Sequence, residues 1–337
     1  MSTDSNTNSA EGQTEAEIEQ LRGKLRELRE SLDAVFYGYR AEVDLLIQAF
    51  LTGGHILLEG APGLGKTTLV HALAGALDLD FGRIQFTPDL MPADILGSRI
   101  LLEDPATGQR SFSFERGPIF ANVILADEIN RATPRTQSAL LEAMQEGQVT
   151  LHGTSHPLDQ PFLVIATENP VEMEGTYPLP EAQLDRFVCK IELGSPGQAQ
   201  LVKILSETTG ANVAELSPCL SKDAMLRTRQ LVREVLASSD IIALVANLVR
   251  ATDPKSDNAP DSIKRFVRFG ASPRGGQAIL LLSKARALSA GRVFVTREDV
   301  EATACPALRH RLVLGYEAEA ASIVPDELIR EALNSLG

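Results

Sequence analysis

Apolar positions fall into two regimes along the chain, and the regimes meet near residue 194. Before that point, strand-length apolar runs alternate with helical spacings. Residues 55–58, 123–126 and 162–166 are continuous apolar runs that end in polar residues, while 68–77 and 136–145 carry a helical period. Strands apolar on both faces and separated by helices predict a parallel sheet covered on both sides. Residues 148–151 and 156–158 flank a turn at Gly153 and predict an inserted hairpin. After the linker Gly194-Ser195-Pro196-Gly197, helices are predicted over 199–207, 222–237, 240–251, 276–290 and 297–304. The last opens on a capping box of Thr296 with Asp299. Residues 253–261, rich in Pro, Asp and Asn, are expected to form a mobile loop. At the other end, residues 1–14 are almost wholly polar and are expected to be disordered. Ile18, Leu21, Leu25, Leu28 and Leu32 then line one stripe of a short solvated helix leading into the first domain. The fold class is therefore α/β, with a tail and charged helix over 1–32, a parallel-sheet αβα sandwich over 33–194, and an all-helical lid over 195–337.

Composition adds exclusions. With 45 acidic and 32 basic residues, the net charge is −13. Such a surface repels phosphate backbones and anionic headgroups, which disfavours nucleic acid and membrane surfaces as partners. Cys189, Cys219 and Cys305 are far apart and form no CxxC pair, so buried, reduced thiols are expected. No apolar run has the length of a membrane span, and the first residues lack the basic start and apolar stretch of a secretion signal. The expected compartment is the cytoplasm.

One motif carries most of the chemistry. Gly60-Ala61-Pro62-Gly63-Leu64-Gly65-Lys66-Thr67 fits G-x-x-x-x-G-K-[ST] and sits between a predicted strand and a helix from Thr68. Average residue usage produces this pattern in about one chain in a hundred of this length. Its main-chain amides and the helix start converge on one point and favour an anion there. Lys66 is placed to reach β- and γ-phosphates, and the Thr67 hydroxyl to ligate Mg²⁺. ATP with Mg²⁺ is the implied ligand pair.

Three further signals gain meaning beside that loop. Asp127-Glu128 ends the apolar run 123–126, and neighbouring parallel strands ending at one sheet edge would bring both motifs to one crevice. Asp127 would then hold the Mg²⁺ shell and Glu128 activate the attacking water. Asn169 follows the run 162–166; an amide there can hold the lytic water or a γ-phosphate oxygen, and Asn before Pro170 is also ordinary turn chemistry. Arg186 and Arg274 can clamp two phosphate oxygens each, while a surface or ion-pair role is the default for either on sequence alone.

The ordered set resembles the MoxR group of AAA+ ATPases, a helix-2-insert clade, from about Asp33 to Arg311. The most specific pieces are the segments 55–60, 85–94, 117–120, 125–132, 136–144, 179–187 and 270–274, among them Leu184-Asp185-Arg186-Phe187 and Gly270-Ala271-Ser272-Pro273-Arg274. The resemblance implies that Asn169 is sensor 1, that Arg186 is an arginine finger acting on a neighbouring subunit's ATP, and that Arg274 is a sensor-2 residue touching the γ-phosphate. It puts adenine against Phe36-Tyr37-Gly38, where Tyr37 departs from the commoner Val or Ile. Arg131 matches an arginine that follows the acidic pair. An insert over about 90–117 and a hairpin before sensor 1 are implied too. So are a homo-hexameric ring, chaperone-like remodelling, a von Willebrand A-domain partner, and maturation or cofactor loading of a client complex. A magnesium- or cobalt-chelatase motor shares this architecture, and a scaffold with incidental turnover is the alternative outside the enzyme class. A complete set of Asp127, Glu128, Asn169 and Arg186 argues against the scaffold, which needs no lytic base.

Overall fold

The computed structural model describes residues 4–103, 109–151, 153–170, 175–209 and 217–336. Helix α1 runs Asp4–Asp33. It starts well before the apolar stripe, so the polar stretch expected to be disordered is helical from residue 4, and residues 1–3 lie outside the described ones. Extending a helix that is already anchored adds a hydrogen bond per residue without a new nucleation cost, which is why apolar spacing alone misses the extension. The stripe itself is not solvated: Ile18, Leu21, Leu25, Leu28 and Leu32 are all buried. They seal α1 against the body of the molecule, and only the charged face meets water.

Next come α2 (Arg40–Thr52), β1 (His55–Gly60), α3 (Lys66–Ala76) and β2 (Phe81–Gln85). The insert follows as α4 (Pro92–Leu96) and an antiparallel pair, β3 (Gly97–Glu103) with β4 (Arg110–Arg116). Residues 104–108 of the insert lie outside the described residues. β5 (Val123–Asp127) and α5 (Pro134–Glu146) lead to the expected hairpin, β6 (Gln148–Leu151) and β7 (Thr154–Pro157), with Gly153 at φ +80° in its turn. Then come β8 (Leu163–Glu168), α6 (Glu181–Leu184) and β9 (Phe187–Leu193).

The main sheet is five-stranded and parallel, in the order β2-β5-β8-β1-β9. Its interior strands carry runs of buried apolar residues, over 56–58, 123–126 and 163–166, because helices cover both faces. One face packs with α1, α2 and α3, the other with α5 and the hairpin. β1 and β5 are not neighbours, contrary to the sequence expectation; β8 lies between them. All three still end at one edge.

The C-terminal part is a helical lid: α7 (Gln198–Thr208), α8 (Lys222–Glu234), α9 (Ser239–Ala251), α10 (Asp261–Phe266), β10 (Val267–Phe269), α11 (Pro273–Ser289), α12 (Arg297–Leu308), β11 (Val313–Leu314), α13 (Tyr316–Ala320) and α14 (Pro325–Asn334). The capping box at Thr296 is present, with the Asp299 carboxylate 2.9 Å from the Thr296 amide. Residues 253–261 form successive hydrogen-bonded turns, with Ala259 buried beneath them. The lid does not hold a separate core, since α2, α8, α11 and α12 contribute to one continuous apolar cluster. Cys189 is buried as expected, while Cys219 and Cys305 are only half-buried; all three are free thiols. Among the described residues, no helix is long and apolar enough to cross a membrane.

Candidate active site

The glycine-rich loop leaves β1 at Gly60 and enters α3 at Lys66. Gly63 and Gly65 sit at φ +83° and +78°, a region that admits glycine freely and lets the chain curl back on itself. A Cβ on Gly65 would come to 3.4 Å of the Phe36 ring, so the 36–38 segment packs directly beside the loop. No side chain caps the N-terminus of α3. Its first amides therefore remain available to an external acceptor, which is the arrangement that binds phosphate. Lys66 is buried, and its ammonium donates to the Gly60 carbonyl at 2.6 Å and faces the Glu168 carbonyl at 3.5 Å. Burial pushes its pKa below the ordinary lysine value, opposed by the nearby carboxylates of Asp127, Glu128 and Glu59. Thr67 and Thr68 follow in the first helical turn, with Thr68 exposed.

The acidic pair and the sensor strand meet this loop from the side. Asp127 ends β5 and is mostly buried. Its Oδ1 accepts from the Thr167 hydroxyl at 2.8 Å, and its Oδ2 accepts from Arg83 at 2.7 Å. Glu128 adopts φ 56° and ψ 52°, a left-handed conformation that a non-glycine residue holds only when its surroundings enforce it. The anchor is visible: its amide donates to the Thr167 Oγ1 at 2.8 Å. Its carboxylate accepts from Arg131 at 2.9 Å and Gln85 at 3.2 Å. Asn169, 4% exposed, follows β8 between the two motifs. The sheet thus brings Gly60–Thr68, Asp127, Glu128 and Asn169 to one edge.

Sequence reasoning missed three residues of this network, Arg83, Gln85 and Thr167, and the contact that Arg131 makes with Glu128. β2 lacks an apolar run, so Arg83 and Gln85 gave no strand signal. Thr167 was legible only as a polar residue breaking an apolar run one step before Glu168.

The two candidate arginines lie elsewhere. Phe187 pairs with His55 at the start of β1, so Arg186 belongs to the opposite end of the sheet from Gly60. Five residues of strand separate those ends, about 16 Å at the usual rise. The Arg186 guanidinium donates to the Leu141 carbonyl at 2.5 Å and has no ion pair among the described residues. Arg274, in the first turn of α11, is 3.8 Å from Asp185 and shares a cleft of about 250 Å³ with Arg186, Gln145 and Gln277. Arg274 stands beside Arg186, because Asp185 accepts from Ser272, which caps α11, and from Arg311, which follows α12. Tyr37 is spent on local contacts, its hydroxyl on the Ala34 carbonyl at 2.6 Å and its ring under Lys203 at 5.2 Å. Gly38, at φ +85°, packs against Gln200 of the lid.

A strand-edge cradle of amides with a buried lysine, two carboxylates and an amide side chain defines a P-loop nucleoside triphosphatase. Comparison with known proteins narrows the class. Residues 55–189 match the ATPase family associated with various cellular activities (AAA), and 262–332 match the AAA lid domain. The chain is 40% identical over 302 residues to Chaperone MoxR1 of Mycobacterium tuberculosis, covering 90% of this chain and 79% of that protein. It is 30% identical over 331 residues to Protein MoxR of Paracoccus denitrificans, covering 92% and 95%. A solved structure from Cytophaga hutchinsonii superposes with a TM-score of 0.89 at 39% identity, over 98% of each chain. The chain belongs to the MoxR family of AAA ATPases.

Proposed function

We propose that ATP is hydrolysed where two copies of the chain meet, and that six copies close into a ring. Gly60, Ala61, Pro62, Gly63, Leu64, Gly65, Lys66, Thr67 and Thr68 bind the phosphates, and the Phe36-Tyr37-Gly38 segment flanks the base. Thr67 and Asp127 would hold Mg²⁺. No group of three or more His, Cys, Asp or Glu among the described residues could bind a metal alone, which suits an ion whose remaining ligands are phosphate oxygens and water. When bound, the ion screens the charge of the β- and γ-phosphates. Glu128 takes the proton of the attacking water, and Asn169 orients that water against the γ-phosphate.

Arg186 and Arg274 complete the site of the adjacent copy, where guanidinium groups neutralise charge developing on the transferred phosphoryl group, an effect worth roughly 10³ to 10⁵ in rate. The observation that carries this reading is the separation of Arg186 from its own loop by the length of a strand, without a carboxylate partner. Arg186 shares a surface cleft with Glu142 and Glu146 without an ion pair to either among the described residues, which leaves its guanidinium available to a second copy. The test is complementation. Arg186→Ala and Lys66→Ala proteins should each be inactive, and mixing them should restore part of the turnover, since mixed interfaces pair an intact loop with an intact arginine. No recovery in mixtures that demonstrably co-assemble would refute action in trans.

Chaperone-like remodelling of a client complex, together with a von Willebrand A-domain partner, extends the reading by similarity to the MoxR proteins. Glu128→Gln protein, which should retain ATP, is the form with which to isolate such partners.

A further inference from the structure

Between α1, α2 and α11 lies a cleft of about 400 Å³ lined by Arg22, Arg26, Arg29, Arg286 and Arg292. Five arginines gathered in one cleft are unexpected in a chain of net charge −13, because like charges this close repel. Folding accounts for two of them. Arg29 pairs with Asp44 and ties α1 to α2. Arg292 grips Asp299 with both terminal nitrogens at 2.7 Å and so locks the capping box of α12. The other three are loosely held. Arg286 Nε stands 3.3 Å from Asp299, Arg22 reaches Glu19 at 3.4 Å on the surface, and Arg26 has no ion pair among the described residues. Five arginines thus face only three contacting carboxylates, Glu19, Asp44 and Asp299, an excess of two positive charges. Arg22, Arg26 and Arg286 retain uncommitted guanidinium nitrogens.

We propose that this cleft binds an oligophosphate, free or carried on a nucleoside. A guanidinium fork takes two oxygens of one phosphate, so three of them match more than a single phosphate group. The volume lies within the range of small-ligand sites. Apolar lining is confined to Leu25, Ile47 and Ala290, too little to seat the side chains of a peptide. The position also couples the cleft to the lid. α11 carries Arg274 in its first turn and Arg286 in its last, so an occupant ties the far end of that helix to α1 and α2.

The test uses full-length Lys66→Ala protein, in which the glycine-rich loop is disabled, with inorganic tripolyphosphate as probe and calorimetry as readout. One site per chain is expected, with affinity falling as salt rises. Arg22→Gln/Arg26→Gln in the same background should weaken binding roughly tenfold or more, each lost charge-assisted contact being worth about that factor. The melting temperature should not change, because both side chains lie at the surface. ATP binding as tightly as tripolyphosphate identifies the phosphate chain as the recognised group; tighter binding of ATP identifies a nucleoside-borne ligand. Sulfate matching tripolyphosphate at equal ionic strength, equal affinity in the double variant, or a polyglutamate peptide outcompeting tripolyphosphate would each overturn the assignment. None of these outcomes depends on Arg186 or on ring assembly.

Discussion

Thr167 offers the sharpest test of how the candidate site is built. Its hydroxyl is fully buried, donates to Asp127 at 2.8 Å and accepts from the Glu128 amide at 2.8 Å. Thr167→Val keeps the shape and removes both bonds. Leaving a buried carboxylate oxygen without its donor costs about 2 kcal/mol, and orphaning the Glu128 amide costs about 1 kcal/mol more, so stability should fall by roughly 3 kcal/mol. Function should suffer beyond that loss. Glu128 holds a left-handed conformation at φ 56°, a geometry with an intrinsic cost of about 1–2 kcal/mol. Freed from Thr167, it relaxes and swings its carboxylate. A shift near 1 Å in a group acting on water lowers turnover by about 100-fold. Nucleotide affinity should stay within about twofold, because the phosphate cradle is untouched. Phosphate-release kinetics, nucleotide titration and urea denaturation measure the three quantities separately. Thr167→Ser, which restores the hydroxyl, should recover most of the turnover. If Thr167→Val turns over like the parent, or if Thr167→Ser is equally impaired, the hydroxyl does not position the acidic pair.

Two further expectations rest on other contacts. Arg311, 8% exposed, donates to the Asp185 carboxylate at 2.8 Å and the Phe187 carbonyl at 2.7 Å, joining the lid to the start of β9; Arg311→Leu leaves Asp185 without its main counter-charge, should cost about 3–5 kcal/mol in a denaturation experiment, and should also disturb Arg186 next to it, so an unchanged unfolding midpoint would discount the clamp. His55 is half-buried, with Nδ1 accepting from the Val164 amide at 3.0 Å and Nε2 donating to the Met144 carbonyl at 3.1 Å. Burial lowers its pKa from 6.5 to about 4. The folded value lies below the unfolded one, so the unfolded chain takes up the extra proton and stability falls as pH drops from about 6.5 towards 4, by about 3 kcal/mol over the whole window. His55→Gln should flatten that part of a stability–pH curve, and an unchanged slope would remove His55 from the account.

Legibility in the sequence followed how local each signal was. The glycine-rich loop, the strand before Asp127 and the five longer lid helices from α7 to α12 are written in consecutive residues, and each was found where the structure has it. β2 was not. It is an edge strand in which only Ile84 is buried, so no apolar run announces it. Arg83 and Gln85, which hold Asp127 and Glu128 from β2, went unseen with it. α14 was missed as well, although Leu328, Ile329, Ala332 and Leu333 give it a buried face.

Taken alone, the residues determined that a triphosphate-binding loop sits between a strand and a helix, that an acidic pair ends another strand, and that helices follow. These facts depend on spacing along the chain, which backbone geometry converts directly into secondary structure. Strand order is different in kind, because it depends on which apolar faces bury each other across a hundred residues. Packing inserted β8 between β1 and β5, set Thr167 under both acidic residues, and carried Arg186 and Arg274 to the far end of the sheet. Distance in space, which no local pattern records, separates a chain that carries the right residues from one that brings them to a shared site.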